Sequence, residues 1–138
     1  MTAAEGPGRL TVDHIGIVVD DLDEAVAFLR DVLGLTIDEI FDVGPAGRGA
    51  MVAAGPVHLE LVEYAQPERR REGLRGGTAR IEHIAFDVAD AERAHAALTA
   101  RGVEVEGGLR VRSDCTTFFT TPESCDGVMY QFREATGD

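Results

Sequence analysis

The stretch Val12-Asp13-His14-Ile15-Gly16-Ile17 recurs as Ile81-Glu82-His83-Ile84-Ala85-Phe86, an offset of 83 − 14 = 69 residues. The correspondence continues through Val19 and Val88, Asp21 and Asp90, Ala25 and Ala94, Ala27 and Ala96, and Leu29 and Leu98. One deletion later, Gly34 meets Gly102. A period near 69 is too long for a solenoid repeat and suits one supersecondary module. Two such modules fill the 138 residues, and each carries a histidine at the same point of its first strand.

Both modules follow one order of elements. Leu10 to Val19 alternates and is rich in branched residues, which predicts a strand. Asp20-Asp21 then offers a helix cap, with Glu24 three residues after Asp21. Leu22, Ala25, Val26, Leu29 and Leu33 recur at helical spacing, and Gly34 sits where a C-terminal cap belongs. Three apolar segments at 36–43, 49–54 and 57–64 are separated by Gly44-Pro45 and Gly55-Pro56, so module one reads β-α-β-β-β. Module two predicts strands at 80–88, 103–106, 116–121 and 127–133, with a helix over 90–101. The fold class expected is α+β. A single domain of 1–138 is expected, divided into module one (about 9–65), a polar arginine-rich linker (66–78) and module two (about 79–135).

Composition narrows the partners. A formal charge of −12 disfavours nucleic acid and anionic membrane surfaces, both of which would repel the chain. No apolar run approaches the roughly 20 residues needed to span a bilayer. The first eight residues lack the basic, greasy pattern of a signal peptide, so a cytoplasmic protein is expected. Cys115 and Cys125 make no CxxC and read as reduced thiols. Arg69-Arg70-Arg71 and Arg75 read as a solvent-facing cluster paired with Glu68 and Glu72.

Strand alternation singles out four polar positions. His14 shares a face with Gly16, and His83 with Ala85, so a small residue leaves space beside each imidazole. Glu60 follows His14 by 60 − 14 = 46 residues, and Gln131 follows His83 by 131 − 83 = 48. Both lie among apolar neighbours at matching places in the duplicated pattern. A buried, unpaired carboxylate is costly, and a divalent cation removes that cost. His14, Glu60, His83 and Gln131 are therefore the expected metal ligands.

These residues carry a family resemblance. His14-Ile15-Gly16-Ile17, the helix opening Asp21-Leu22-Asp23-Glu24-Ala25 and Leu33-Gly34-Leu35 resemble the start of vicinal oxygen chelate proteins. So do Glu60-Leu61-Val62-Glu63, Glu82-His83-Ile84-Ala85-Phe86 and Gly127-Val128-Met129-Tyr130-Gln131-Phe132. That superfamily includes glyoxalase I, methylmalonyl-CoA epimerase, extradiol dioxygenases and fosfomycin-resistance enzymes, and the layout looks closest to the epimerase. The resemblance implies paired βαβββ modules forming a cupped mixed sheet around a metal bound at those four positions. It also implies a homodimer. Two departures stand out: the epimerase's last ligand is a glutamate where this chain has Gln131, and its other acid/base glutamate aligns near Pro45.

Methylmalonyl-CoA is therefore not the expected substrate. A smaller hydroxyketone is, such as a keto-cyclitol of secondary metabolism, a valiolone epimer being one example. One divalent ion, whether Mn, Fe, Co, Ni or Zn, would chelate two adjacent oxygens and acidify the neighbouring C–H. Proton removal would give an enediolate, and reprotonation on the opposite face would invert the carbon. Glu60 is the expected base, with His58 two residues earlier as partner; Arg133 and Met129, on the face of Gln131, are expected to bind substrate.

Three alternatives share the scaffold. A glyoxalase-type lyase would favour a second carboxylate opposite Glu60. An Fe(II) dioxygenase resembling the extradiol enzymes would place its carboxylate at position 131. A metal-free drug-binding protein would favour an aromatic pocket, and this chain has no Trp, two Tyr and six Phe.

Overall fold

The computed structural model describes residues 6–136. In module one, β1 (Thr11–Val19) leads to α1 (Leu22–Ala27), followed by β2 (Thr36–Asp42), β3 (Gly47–Ala54) and β4 (Val57–Tyr64). Then α2 (Pro67–Leu74) precedes β5 (Ala79–Asp87), α3 (Ala91–Ala100), β6 (Val105–Val111), β7 (Cys115–Thr120) and β8 (Met129–Ala135). The fold is α+β and repeats the βαβββ order twice.

The aspartates at the helix starts act as caps. Asp21 Oδ1 accepts from the Glu24 N–H at 3.1 Å, and Asp90 Oδ1 accepts from the Arg93 N–H at 3.0 Å. Gly34 and Gly102 both adopt positive φ, +74° and +91°, the left-handed conformation that ends a helix cheaply only without a Cβ. The first helix departs from expectation before that cap. After Ala27 it widens into a π-helical turn over Phe28–Val32, where the Leu33 N–H reaches the Phe28 carbonyl.

One strand boundary is corrected. The strand expected at 103–106 runs from Val105 to Val111, its pairing with β7 broken by a register shift between Glu106 and Arg110. The glycine pair Gly107-Gly108, both at φ +74°, spans that irregularity and hides the strand from a propensity reading. The linker holds the two-turn helix α2, begun by Pro67 and ended by Arg75 in a left-handed conformation. Arg69 and Arg70 turn back onto β4. The Arg69 guanidinium lies 4.4 Å from the Tyr64 ring centroid, and Arg70 Nε donates to the Tyr64 carbonyl at 2.8 Å.

Two compact units emerge. One is His14–Glu82; the other runs from His83 onward and includes the residues just before His14. In the first, the strand order is β2-β3-β4-β1, with β1 parallel to β4 and the other neighbours antiparallel. The second repeats this as β6-β7-β8-β5, with β5 parallel to β8.

Each unit has its own core on the helix side of its sheet. In the first, Leu22, Val26 and Leu29 pack against Val19, Ala50, Val52 and Leu61. In the second, Ala91 and Ala94 let α3 approach Phe118 and Phe132, whose rings stack at 5.1 Å. Tyr130 stacks on Phe86 at 5.7 Å and belongs to this apolar face.

A duplicated carboxylate ties each helix to its last strand. Glu63 Oε2 accepts from the Leu22 N–H at 2.8 Å, and Glu134 Oε1 accepts from the Ala91 N–H at 2.8 Å. Each satisfies a first-turn donor that the helix itself cannot. Glu63 also accepts from Arg48 Nε at 3.1 Å. Burial alone would raise its carboxyl pKa, but the bonds from Arg48 and Leu22 prevail and hold it below the ordinary value of 4.5.

A folded-state pKa below the unfolded one means that Glu63 stabilises the fold above about pH 4.5. That contribution is lost as pH falls through the lower, folded value. Glu63→Gln should therefore cost about 1–2 kcal/mol at pH 7, and less as acid removes the wild-type advantage. Urea unfolding of both proteins from pH 7 to pH 3 checks this.

Candidate active site

The face of each sheet turned away from its helix carries the polar positions. In the first unit, His14 on β1 is paired in register with His58 on β4, and Gly16 with Glu60. Side chains at paired positions project to the same side, so His14, His58 and Glu60 share one face with only a hydrogen beside Glu60 on β1. His14 is 4% exposed, and its Nε2 lies 3.5 Å from Glu60 Oε1.

His58 has a partner that the sequence did not reveal. Its Nε2 lies 3.0 Å from Asp38 Oδ2. Asp38 is the extra residue where the β2–β3 register shifts between Ile37 and Glu39, a bulge that re-aims its carboxylate. In the neutral tautomer that donates Nε2–H to this carboxylate, Nδ1 is the acceptor.

The second unit repeats the arrangement. His83 pairs with Met129 and Ala85 with Gln131 in the parallel β5–β8 register, so His83, Met129 and Gln131 share a face. His83 and Gln131 are buried, and the His83 ring meets Phe119 edge-on at 5.5 Å. Gln131 Nε2 donates to Thr117 Oγ1 at 3.0 Å, and Thr117 Oγ1 donates to the Phe132 carbonyl at 2.8 Å.

Arg133 lies on the same face but is already engaged. Its Nη1 is 3.0 Å from Asp87 Oδ1 and 3.7 Å from Asp13 Oδ1. Burial first, and then the charge of Asp13, raise the Asp87 carboxyl pKa against the opposing pull of Arg133. Arg133 is thus engaged by two carboxylates of its own unit. Met129 is half-buried beside His83.

Within the first unit, His14 and Glu60 bring an imidazole and a carboxylate together as possible metal donors. Imidazole and carboxylate donors suit first-row divalent ions and do not select sharply among them. His14 and His83 are both nine-tenths buried or more.

The chain belongs to the Glyoxalase/Bleomycin resistance protein/Dioxygenase superfamily, whose family model matches residues 11–132. It is 34% identical to a 2-epi-5-epi-valiolone epimerase from an Actinomyces species, over 94% of this chain and 77% of that protein. Among solved structures, a Streptomyces coelicolor methylmalonyl-CoA epimerase is 28% identical, with a TM-score of 0.80 over 94% of this chain and 100% of that one. A hypothetical protein from Bacillus halodurans shares the fold, with a TM-score of 0.83 at 24% identity over 94% of this chain and 96% of that one. Epimerase relatives in both sequence and structure mark this chain as an enzyme. Among the described residues, no helix is long and apolar enough to cross a membrane.

Sequence reasoning missed Asp38, Thr117 and the acids around Arg133. Asp38 depends on a bulge and Thr117 on a cross-strand pairing, neither of which leaves a local pattern. The Arg133 arrangement predicts that Arg133→Met will lower stability by roughly 1–3 kcal/mol, because it strands two partly buried acids. Arg133→Lys should lose less. Chemical denaturation of both variants tests this, and unchanged stability in Arg133→Met would free the side chain for a ligand role.

Proposed function

We propose that this chain is a divalent-metal-dependent epimerase of a small hydroxyketone, with a keto-cyclitol such as a valiolone epimer as the leading substrate class. The observation that carries the reading is the pairing of His14 with Glu60 at 3.5 Å on a face whose duplicated counterpart holds His83 and Gln131. The identity of 34% to an enzyme named for valiolone epimerisation supports the substrate class.

His14, Glu60, His83 and Gln131 are the proposed ligands. When bound, a divalent ion supplies Lewis acidity to two adjacent substrate oxygens and lowers the pKa of the neighbouring C–H. The rest falls to the protein. Glu60 has two carboxylate oxygens, so one can face the His14 side while the other takes the proton. His58 lies one strand repeat away on the same face, about 6.5–7 Å along β4. Asp38 holds its Nε2–H and leaves Nδ1 to exchange a proton with the substrate's other face. Met129 contributes an apolar wall beside His83, and Arg133, held by Asp87 and Asp13, offers its remaining N–H groups to a substrate oxygen. A homodimer belongs to the same proposal; the exposed Ile40 on β2 and Val111 on β6 are apolar groups that such an interface would cover.

The test is deuterium wash-in from heavy water into 2-epi-5-epi-valiolone, followed by NMR together with an oxygen electrode. Exchange should occur without oxygen uptake, vanish with a chelator and return when Mn2+ or Co2+ is added. Glu60→Ala should slow exchange by about 10²–10⁴-fold and weaken metal binding. Retained exchange with normal metal content would remove Glu60 from both roles. Oxygen consumption would instead favour the dioxygenase reading.

A further inference from the structure

We infer that Thr117 is a positioning residue that decides which end of the Gln131 carboxamide is offered to a metal ion. This inference rests on the metal reading above and adds a residue to it. A threonine hydroxyl has one proton. Thr117 Oγ1 lies 2.8 Å from the Phe132 carbonyl oxygen, which can only accept, so the proton lies on that line. The hydroxyl can then only accept from its other neighbour.

That neighbour is Gln131, whose Nε2 donates to it at 3.0 Å. The carboxamide is planar, with oxygen and nitrogen at opposite corners. Fixing the NH2 against Thr117 therefore turns Oε1 the other way. The oxygen is the only end of an amide that ligates a hard or borderline cation, because the nitrogen lone pair is delocalised into the carbonyl. Thr117 is fully buried and Gln131 is 6% exposed, so water has little access to replace the contact or equalise the two orientations.

The arrangement also discriminates by charge. A carboxylate at position 131 would press a second acceptor against a hydroxyl whose proton is committed to Phe132. Thr117 would have to abandon that carbonyl in order to donate to it. The Thr117–Phe132 bond thus favours a neutral ligand at this position and leaves Glu60 to supply the negative charge.

The test compares wild type, Thr117→Val and Thr117→Ser in Co2+ titrations by calorimetry and visible absorption. Thr117→Val keeps the shape but removes the hydroxyl. It should weaken Co2+ binding about 10–100-fold and shift the d–d band at saturating metal. Thr117→Ser restores the hydroxyl and should match wild type in both readouts. If wild type and Thr117→Val bind Co2+ equally and with the same spectrum, the inference is overturned while the metal reading stands. If wild type binds no Co2+, both fall. A wild-type measurement covers the case in which Thr117→Val does not fold: the side-chain amide protons of Gln131 should show NOEs to the Thr117 methyl group. Their absence in a folded, assigned protein would overturn the inference.

Discussion

Parallel pairing between the first and last strands of each module is the constraint on which everything else depends. It sets Gly16 beside Glu60 and Ala85 beside Gln131, so each long polar side chain lies next to a residue with little or no side chain. The histidine two residues earlier then falls on the same face. A slip of one residue would exchange faces, sending Glu60 into the helix core and Leu61 onto the polar side. The register is secured from the opposite face. Leu61 and Phe132 are locked into their cores, while Glu63 and Glu134 reach back to the first N–H of the helix. Core packing and functional placement are two faces of one strand.

The duplication makes the differences between the halves informative. At equivalent positions one half presents a carboxylate and the other a carboxamide. Each is supported differently: Glu60 by the neighbouring imidazole of His14, Gln131 by a hydroxyl whose own proton is already committed. In the proposed site, two carboxylates against one dication would leave the set neutral, whereas a single carboxylate would leave it cationic and better able to polarise a substrate oxygen. The chemistry proposed here depends on that asymmetry.

The arginines show how charge is partitioned in an acidic chain. Arg48, Arg70 and Arg133 are each set against carboxylates: Glu63 and Asp23, Asp20, and Asp87 with Asp13 respectively. The partly buried pairs are structural anchors at helix starts and strand ends.

Much of this was legible in the residues themselves. The repeated His-Ile-small motif, the caps at Asp21 and Asp90, and the terminating glycines are local signals with local causes, so the βαβββ order and the four polar positions could be read without coordinates. Other features were decided by contacts between distant residues. The bulge that delivers Asp38 to His58 arises from how β2 and β3 align, and a register shift leaves no compositional trace. Thr117 reads as an ordinary strand threonine until antiparallel pairing brings it beside Gln131 and the Phe132 carbonyl. The two acids that engage Arg133 lie 46 and 120 residues away in sequence, and only folding brings them within reach. Periodicity and capping act over a few neighbouring residues, so they can be read along the chain. Hydrogen-bond partners across strands are chosen by register, which exists only once the sheet has formed.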